Sequence, residues 1–439
     1  MLSSEKREPN KFIVSKIKMK QVCFITLALL SFFPSLVFVL MFLFLLGFLF
    51  RDAGIRYIFF FGSLLFLTLI SMMLQEDYFY KGPIISFLFL LPFLLSFILL
   101  KDKSRSEYFL LFLKVHIFIS LIQIPLQLIQ FISVYGFEFG LVLSNSSAGD
   151  IGFGSLYNSF VLADKQILSM FFLISLKDHF SVLYVRLGLL ALFFSFLFIG
   201  ANTTTLVLLL SVIIYYLILT NLKLYKLKYM WKRVLTVSAL LLAFFVVNKF
   251  FFTSQYQHVI GGINKVIENI SNIGKVKAYG TIAEIYSDNP EYLFCGLGSG
   301  YYSSRVSFIL SGEYLWQGEH ALLGLQHNRR FDHYLRPLWN DNIRFNNNIN
   351  GTIFQPFSGI VTIFSEYGLI VLLAFIAAMV NLYMRIPIDL GRIFIIFSFG
   401  MMFIDNFLEY PRILTPAIVY ILYLLNQSKG DANMKFIQV

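Results

Sequence analysis

Apolar segments about as long as a bilayer is thick recur along this chain, and nothing constrains its fold more. A helix needs about 20 apolar residues to cross the hydrocarbon. Runs of that kind fall at 55–74, 84–100, 108–135, 158–176, 181–199, 203–220, 234–252, 357–383, 392–408 and 412–426. Ahead of them lies an unbroken apolar run, 22–50, which contains Pro34. Backbone polar groups in lipid must be satisfied internally, so such segments are expected to be helices. Composition agrees. Hydrophobic residues make up 58% of the 439 positions and charged residues only 13%, against about 25% charged in a soluble domain. The expected fold is all-α, a polytopic transmembrane helical bundle.

Charge decides the number of spans. The run 22–50 is long for one crossing and short for two. If it crosses twice, turning near Pro34, Lys and Arg fall on one side. The N-terminal Lys6, Arg7, Lys11, Lys16, Lys18 and Lys20 then share that side with Arg51, Arg56, Lys101, Lys103, Arg105 and Lys177. So do Lys223, Lys226, Lys228, Lys232, Arg233, Arg385, Arg392, Lys429 and Lys435. The positive-inside rule therefore favours about twelve spans with both termini cytoplasmic. The net charge of +11 reads as this topology bias, with no nucleic-acid partner expected. The boundaries are a basic cytoplasmic N-terminus at 1–21, a bundle at 22–252, an extracytoplasmic loop at 253–352, further spans at 353–426 and a tail at 427–439. No cleaved signal peptide is expected. Cys23 and Cys295 form no metal motif, and this topology puts them on opposite sides, so no disulfide is expected.

The loop breaks from the rest in composition. It holds four of the six histidines, 11 of the 27 glycines and two of the three tryptophans. A loop this long is rare unless functional. An amphipathic helix is expected at 262–287 and another at 301–315. Between them the segment 295–301 reads CGLGSGY, with glycines alternating and Arg305 following in a helical pattern. Such glycines allow backbone N–H groups to approach an anion, with Gly298 and Gly300 as the donors; the spacing alone reads more simply as a flexible turn before a helix.

All five loop arginines (Arg305, Arg329, Arg330, Arg336 and Arg344) lie after residue 304, and the three lysines lie before 278. Guanidinium groups clamp phosphates in a planar fork, so an anionic-substrate site fits; so does a solvated surface of ion pairs. His320, His327 and His333 lack a tight ligand motif, and no metal is expected. Trp316 and Trp339 suit stacking on sugar rings, and equally packing the loop or sitting at the headgroup level. Within the span 108–135, His116, Gln123, Gln127 and Gln130 share one helical face that must look into the bundle or a watery cavity. Charge inside the spans otherwise looks sparse. Glu409 with Arg412 reads as a structural ion pair.

This layout resembles the O-antigen polymerase and ligase superfamily of bacterial membrane glycosyltransferases. The CGLGSGY segment and SEYGLI at 365–370 resemble its glycine element and the motif that opens the following span. GSLYN at 154–158 and GANTTT at 200–205 are weaker echoes. The chain departs from the family in lacking arginines near Asn202–Thr204 and ahead of Gly154. It also lacks the histidine that ligases carry shortly before the glycine corresponding to Gly368, where residues 355–359 read QPFSG. That absence favours polymerase over ligase.

The resemblance implies a bacterial inner-membrane polymerase of O-antigen, capsule or exopolysaccharide repeat units. The growing glycan would move from undecaprenyl diphosphate to an acceptor unit on the outer face, without metal or cofactor. Implied partners are the undecaprenyl-diphosphate-linked oligosaccharide, membrane lipid, a chain-length regulator and a flippase. The arginines, Gly298 and Gly300 would hold the diphosphate; Glu319, His320, Asp332, His333 and Glu366 are the candidate bases. A flippase or exporter of the same lipid-linked sugars is the rival from another class, and a ligase the rival within the enzyme class.

Overall fold

A computed structural model describes residues 11–33, 37–42, 81–93, 106–135, 155–156, 159–199, 202–219, 273–313, 324–326, 328–345, 355–356 and 358–437, with isolated residues between. The described residues are helical, with no strand among them. The helices are α1 (Lys11–Leu30), α2 (Lys81–Leu90), α3 (Ser106–Tyr135), α4 (Ser159–Ser175), α5 (Val182–Ile199) and α6 (Asn202–Ile213, continued as a π-helix over Ile214–Leu219). The loop contributes α7 (Gly274–Asp288), α8 (Tyr292–Cys295), α9 (Arg305–Ser311) and α10 (Arg336–Phe345). The chain closes with α11 (Gly359–Arg385), α12 (Asp389–Ile404) and α13 (Pro411–Ile437).

The helices follow the apolar runs because the chain marks their ends. Ser358 caps α11 by accepting from the Val361 amide at 3.1 Å. The helix stops at Arg385, just ahead of Pro387, which disfavours helical backbone in the residue before it. Pro411 opens α13, where its missing N–H removes nothing. The apolar run 22–50 leaves helical geometry after Leu30, three residues ahead of the segment holding Pro34. The expected span 55–74 lies outside the described residues, as does nearly all of 234–252.

Among the described residues, two helices are long and apolar enough to cross a membrane, one over Glu107–Val134 and one over Gly359–Arg385. Each carries an exposed apolar stripe at helical spacing. On α11 it is Ile370, Leu373, Val380 and Met384. Water is a poor solvent for such a face and lipid a good one. The opposite faces join one core, in which α3 packs on α1, α4 and α13, α4 on α5, and α12 on α6 and α11. The loop helices α7 and α8 sit against α11. Of the expected loop helices, 262–287 is found as α7, starting at Gly274, and 301–315 as the shorter α9. Both cysteines are free.

Candidate functional site

The site is built around a break in α11. Gly368 takes φ 81° and ψ 177°, which ends helical hydrogen bonding there. A broken helix leaves carbonyls without their usual partners, and each must find another donor. The loop supplies them. Tyr286 Oη donates to Phe364 O at 2.6 Å and Ser365 O at 3.2 Å. Leu297 N donates to Ser365 O at 2.7 Å, and Gly298 N to Glu366 O at 3.0 Å. The two backbones lie so close that neither tolerates a side chain. A Cβ on Gly296 would come within 2.4 Å of the Glu366 carbonyl, and one on Gly368 within 2.4 Å of Phe294 O.

The Glu366 carboxylate then fills the concavity of the glycine loop. It accepts from the amides of Gly300 at 2.6 Å, Tyr302 at 2.9 Å and Ser304 at 3.0 Å. Successive amides pointing into one hollow form an anion nest. The expectation that Gly298 and Gly300 donate to a substrate diphosphate is corrected here: both amides are bonded within the chain, and the anion in the nest is Glu366. The segment is not a loose turn either, since Tyr301, Tyr302, Ser303 and Ser304 are fully buried.

Beside the nest, Arg305 opens α9 and is itself buried. Its backbone amide donates to Glu409 Oε2. Its guanidinium lies 4.6 Å from the Tyr410 ring centroid and 5.6 Å from that of Phe89, cation–π distances. Glu409 belongs to the turn between α12 and α13 and is buried, which together with the neighbouring Glu366 charge pushes its carboxyl above the usual range. Asn406 in the same turn donates to Ser303 O at 3.1 Å, tying the turn to the loop. Lys275 on α7 donates to Gln355 O at 3.1 Å. Burial lowers this amine to about 7, against the opposing pull of Asp405.

The other candidates lie apart from this cluster. Arg336 pairs with Asp332 at 3.0 Å and Glu313 at 3.6 Å and donates to Ser311 O. Trp339 packs on Phe308 and donates to Glu313, so it serves the loop's own packing. Arg330 stacks on Tyr292 and donates to its hydroxyl at 2.8 Å. Arg329 is exposed, and His333 is exposed against Tyr334. Arg344 lies on α10 with its side chain outside the described residues, which also exclude Glu319, His320, His327 and Trp316. Arg305, Arg330 and Arg336 therefore answer to different partners, and they do not form the single clamp that their clustering in sequence implied.

Of the three candidate bases among the described residues, Asp332, His333 and Glu366, Glu366 alone stands in the buried cluster. The residue that sequence reasoning undervalued is Glu409. An acid in a largely apolar stretch is a functional hypothesis by default, but its nearness to Arg412 gave a structural reading. In the structure Glu409 meets Arg305, while Arg412 donates to Leu156 O at 3.2 Å. Among the described residues, no group of His, Cys, Asp and Glu has the arrangement of a metal site. Compared with protein-family models, curated proteins and solved structures, the chain matches none.

Proposed function

We propose that this chain is a multi-pass glycosyltransferase of the bacterial inner membrane that polymerises lipid-linked oligosaccharide repeat units. In this reading it has about twelve spans, both termini are cytoplasmic, and the loop with its buried cluster faces outward. The observation that carries the reading is the Arg305–Glu409 pair, buried where the loop meets the turn between the last two helices. Transfer of a glycan from a polyprenyl diphosphate needs a fixed cation for the leaving group and a base for the attacking hydroxyl.

Glu366 is committed to three amides and acts as an anchor. Glu409 holds a single backbone amide, and its raised proton affinity suits a base. The acceptor hydroxyl oxygen attacks the anomeric carbon, the bond from that carbon to the diphosphate oxygen breaks, and the hydroxyl proton passes to Glu409. The charge on the departing diphosphate is met by Arg305. Both side chains are buried, so the reading requires the turn at 405–410 to open toward substrate.

The test is Glu409→Gln and Arg305→Lys in cells that make the polymer. Glutamine keeps an acceptor for the Arg305 amide but cannot take a proton. The expected result is normal protein level, no chain extension and accumulation of single repeat units. Normal polymer lengths in both variants end the reading. An exporter of lipid-linked sugars is the second reading, favoured by Asp164, Lys165 and Arg412, all buried in the bundle. Its loss would instead leave lipid-linked units on the inner face.

A further inference from the structure

A second set of ionisable groups lies inside the bundle, and the proposed transfer uses none of it. Asp164 and Lys165 sit on α4, His116 on α3 and Arg412 at the start of α13, each 5% exposed or less. Lys165 Nζ donates to Ser31 Oγ at 3.0 Å and Arg412 O at 2.9 Å, and stands 4.1 Å from the Phe32 ring centroid. The His116 ring is caged by Phe32, Phe112 and Phe172, at centroid distances of 4.8, 6.2 and 5.3 Å. Asp164 bonds Thr204 on α6 and lies within electrostatic reach of Lys165 and of Asp405 in the outer cluster. Lys165 is likewise within electrostatic reach of His116.

These groups are not fully partnered. Among the described residues, Oδ1 of Asp164 and both ring nitrogens of His116 are buried without a hydrogen bond. Open polar valences in an apolar setting are costly, and a packing role would be served better by an apolar residue. Ionisable side chains held inside spans mark ion and proton routes. The polar contacts also continue along the bundle. Ser169 donates to Ser120 at 2.6 Å, and Gln166 to Ser195 at 2.5 Å and Gln127 at 3.4 Å, so α3 and α4 run antiparallel with a polar seam between them. Gln166 and Ser169 thus meet α3 at points about 10 Å apart along its axis. Further along α4, Ser175 bonds Tyr420 at 2.6 Å.

The open groups are an oxygen and two nitrogens, without the clustered ligands a metal needs. The ligand that fits them is the proton. We propose that Asp164 and His116 form a proton-exchanging site in the bundle, carrying protons between the outer cluster and the Ser175–Tyr420 end of the seam. Loading makes an O–H bond at Asp164 Oδ1 and leaves a neutral carboxyl. Unloading runs through Lys165, which is within electrostatic reach of both groups: its ammonium gives one proton to a His116 nitrogen and takes the Asp164 proton in exchange, and the imidazolium then releases its proton toward the Ser175–Tyr420 end. Lys165 on α4 faces both groups, Asp405 at the end of α12 faces Asp164, and Arg412 on α13 faces Lys165.

The test needs no sugar substrate, so it is read independently of the proposed transfer. Full-length protein is reconstituted in phospholipid vesicles loaded with a pH-sensitive dye, and a potassium diffusion potential is imposed. Wild-type protein is expected to carry protons faster than protein-free vesicles. Asp164→Asn, which keeps an acceptor for Thr204, and His116→Phe, which suits the phenylalanine cage, should both fall to the protein-free rate. His116→Phe should do so with its melting temperature unchanged or raised; should Asp164→Asn not fold, this variant decides alone. Wild-type flux at the protein-free rate, or undiminished flux in a folded His116→Phe, overturns the proposal.

Discussion

The junction of the glycine loop with α11 and the seam between α3 and α4 bury charge equally well but finish it differently. At the junction the carbonyls of Phe364, Ser365 and Glu366 and the Glu366 carboxylate all find donors from the loop. In the seam one oxygen of Asp164 and both nitrogens of His116 are left open among the described residues. A buried polar group completed by fixed backbone donors holds architecture, whereas one left open can take and release a ligand. The functional residues are therefore better sought where satisfaction stops than where charge is densest in sequence.

Glu366→Ala probes the completed junction most severely. It leaves three buried amides without an acceptor, and each unsatisfied buried donor costs about 1–3 kcal/mol. Thermal unfolding of the detergent-solubilised protein measures the loss; a variant as stable as the wild type would deny that Glu366 holds the loop. Gly368→Ala should follow, with about 1–2 kcal/mol of left-handed strain before its clash with Phe294 O is added. Gly280→Ala is the matched control: its Cβ meets nothing within 4 Å, and in a helix interior it should stabilise by about 0.5–1 kcal/mol. If both glycine variants behave alike, the close approach at the junction is not what fixes the loop.

Lys275 sharpens the comparison from the pH side. Its folded value of about 7 lies below the free value of 10.5. Between those values the unfolded chain holds a proton that the folded chain does not, so stability rises with pH across that window. Below about 7 the penalty is present in full. Lys275→Met should remove this slope in denaturant titrations run at successive pH values, and an unchanged slope would assign it elsewhere. The smallest effect is expected at Arg336, whose carboxylate partners are partly exposed. Arg336→Ala should cost under about 1 kcal/mol, and a larger loss of stability would show that the late-loop arginines hold more than a surface.

The helices were legible because their signals are local. Apolar length predicted 108–135, where α3 runs Ser106–Tyr135, and 158–176, where α4 runs Ser159–Ser175. Helical spacing also placed His116, Gln123, Gln127 and Gln130 on one inward face; the first three are buried and Gln130 is half-buried. The candidate site was legible only in part. SEYGLI and CGLGSGY were both singled out as motifs, yet that one is the lock of the other depends on the broken helix at Gly368, which brings residues about seventy positions apart into backbone contact. Likewise the arginines were countable, but which of them is buried could not be read from spacing.

Sequence alone thus determined where the apolar helices run, because the free energy of apolar segments and the obligation to pair backbone groups act residue by residue. Only the tertiary structure decided that the glycine-loop amides serve Glu366, that Glu409 belongs with Arg305, and that Asp164 and His116 keep open valences. Those outcomes depend on which groups from distant segments meet once water is excluded, a competition among partners that no single stretch of sequence contains.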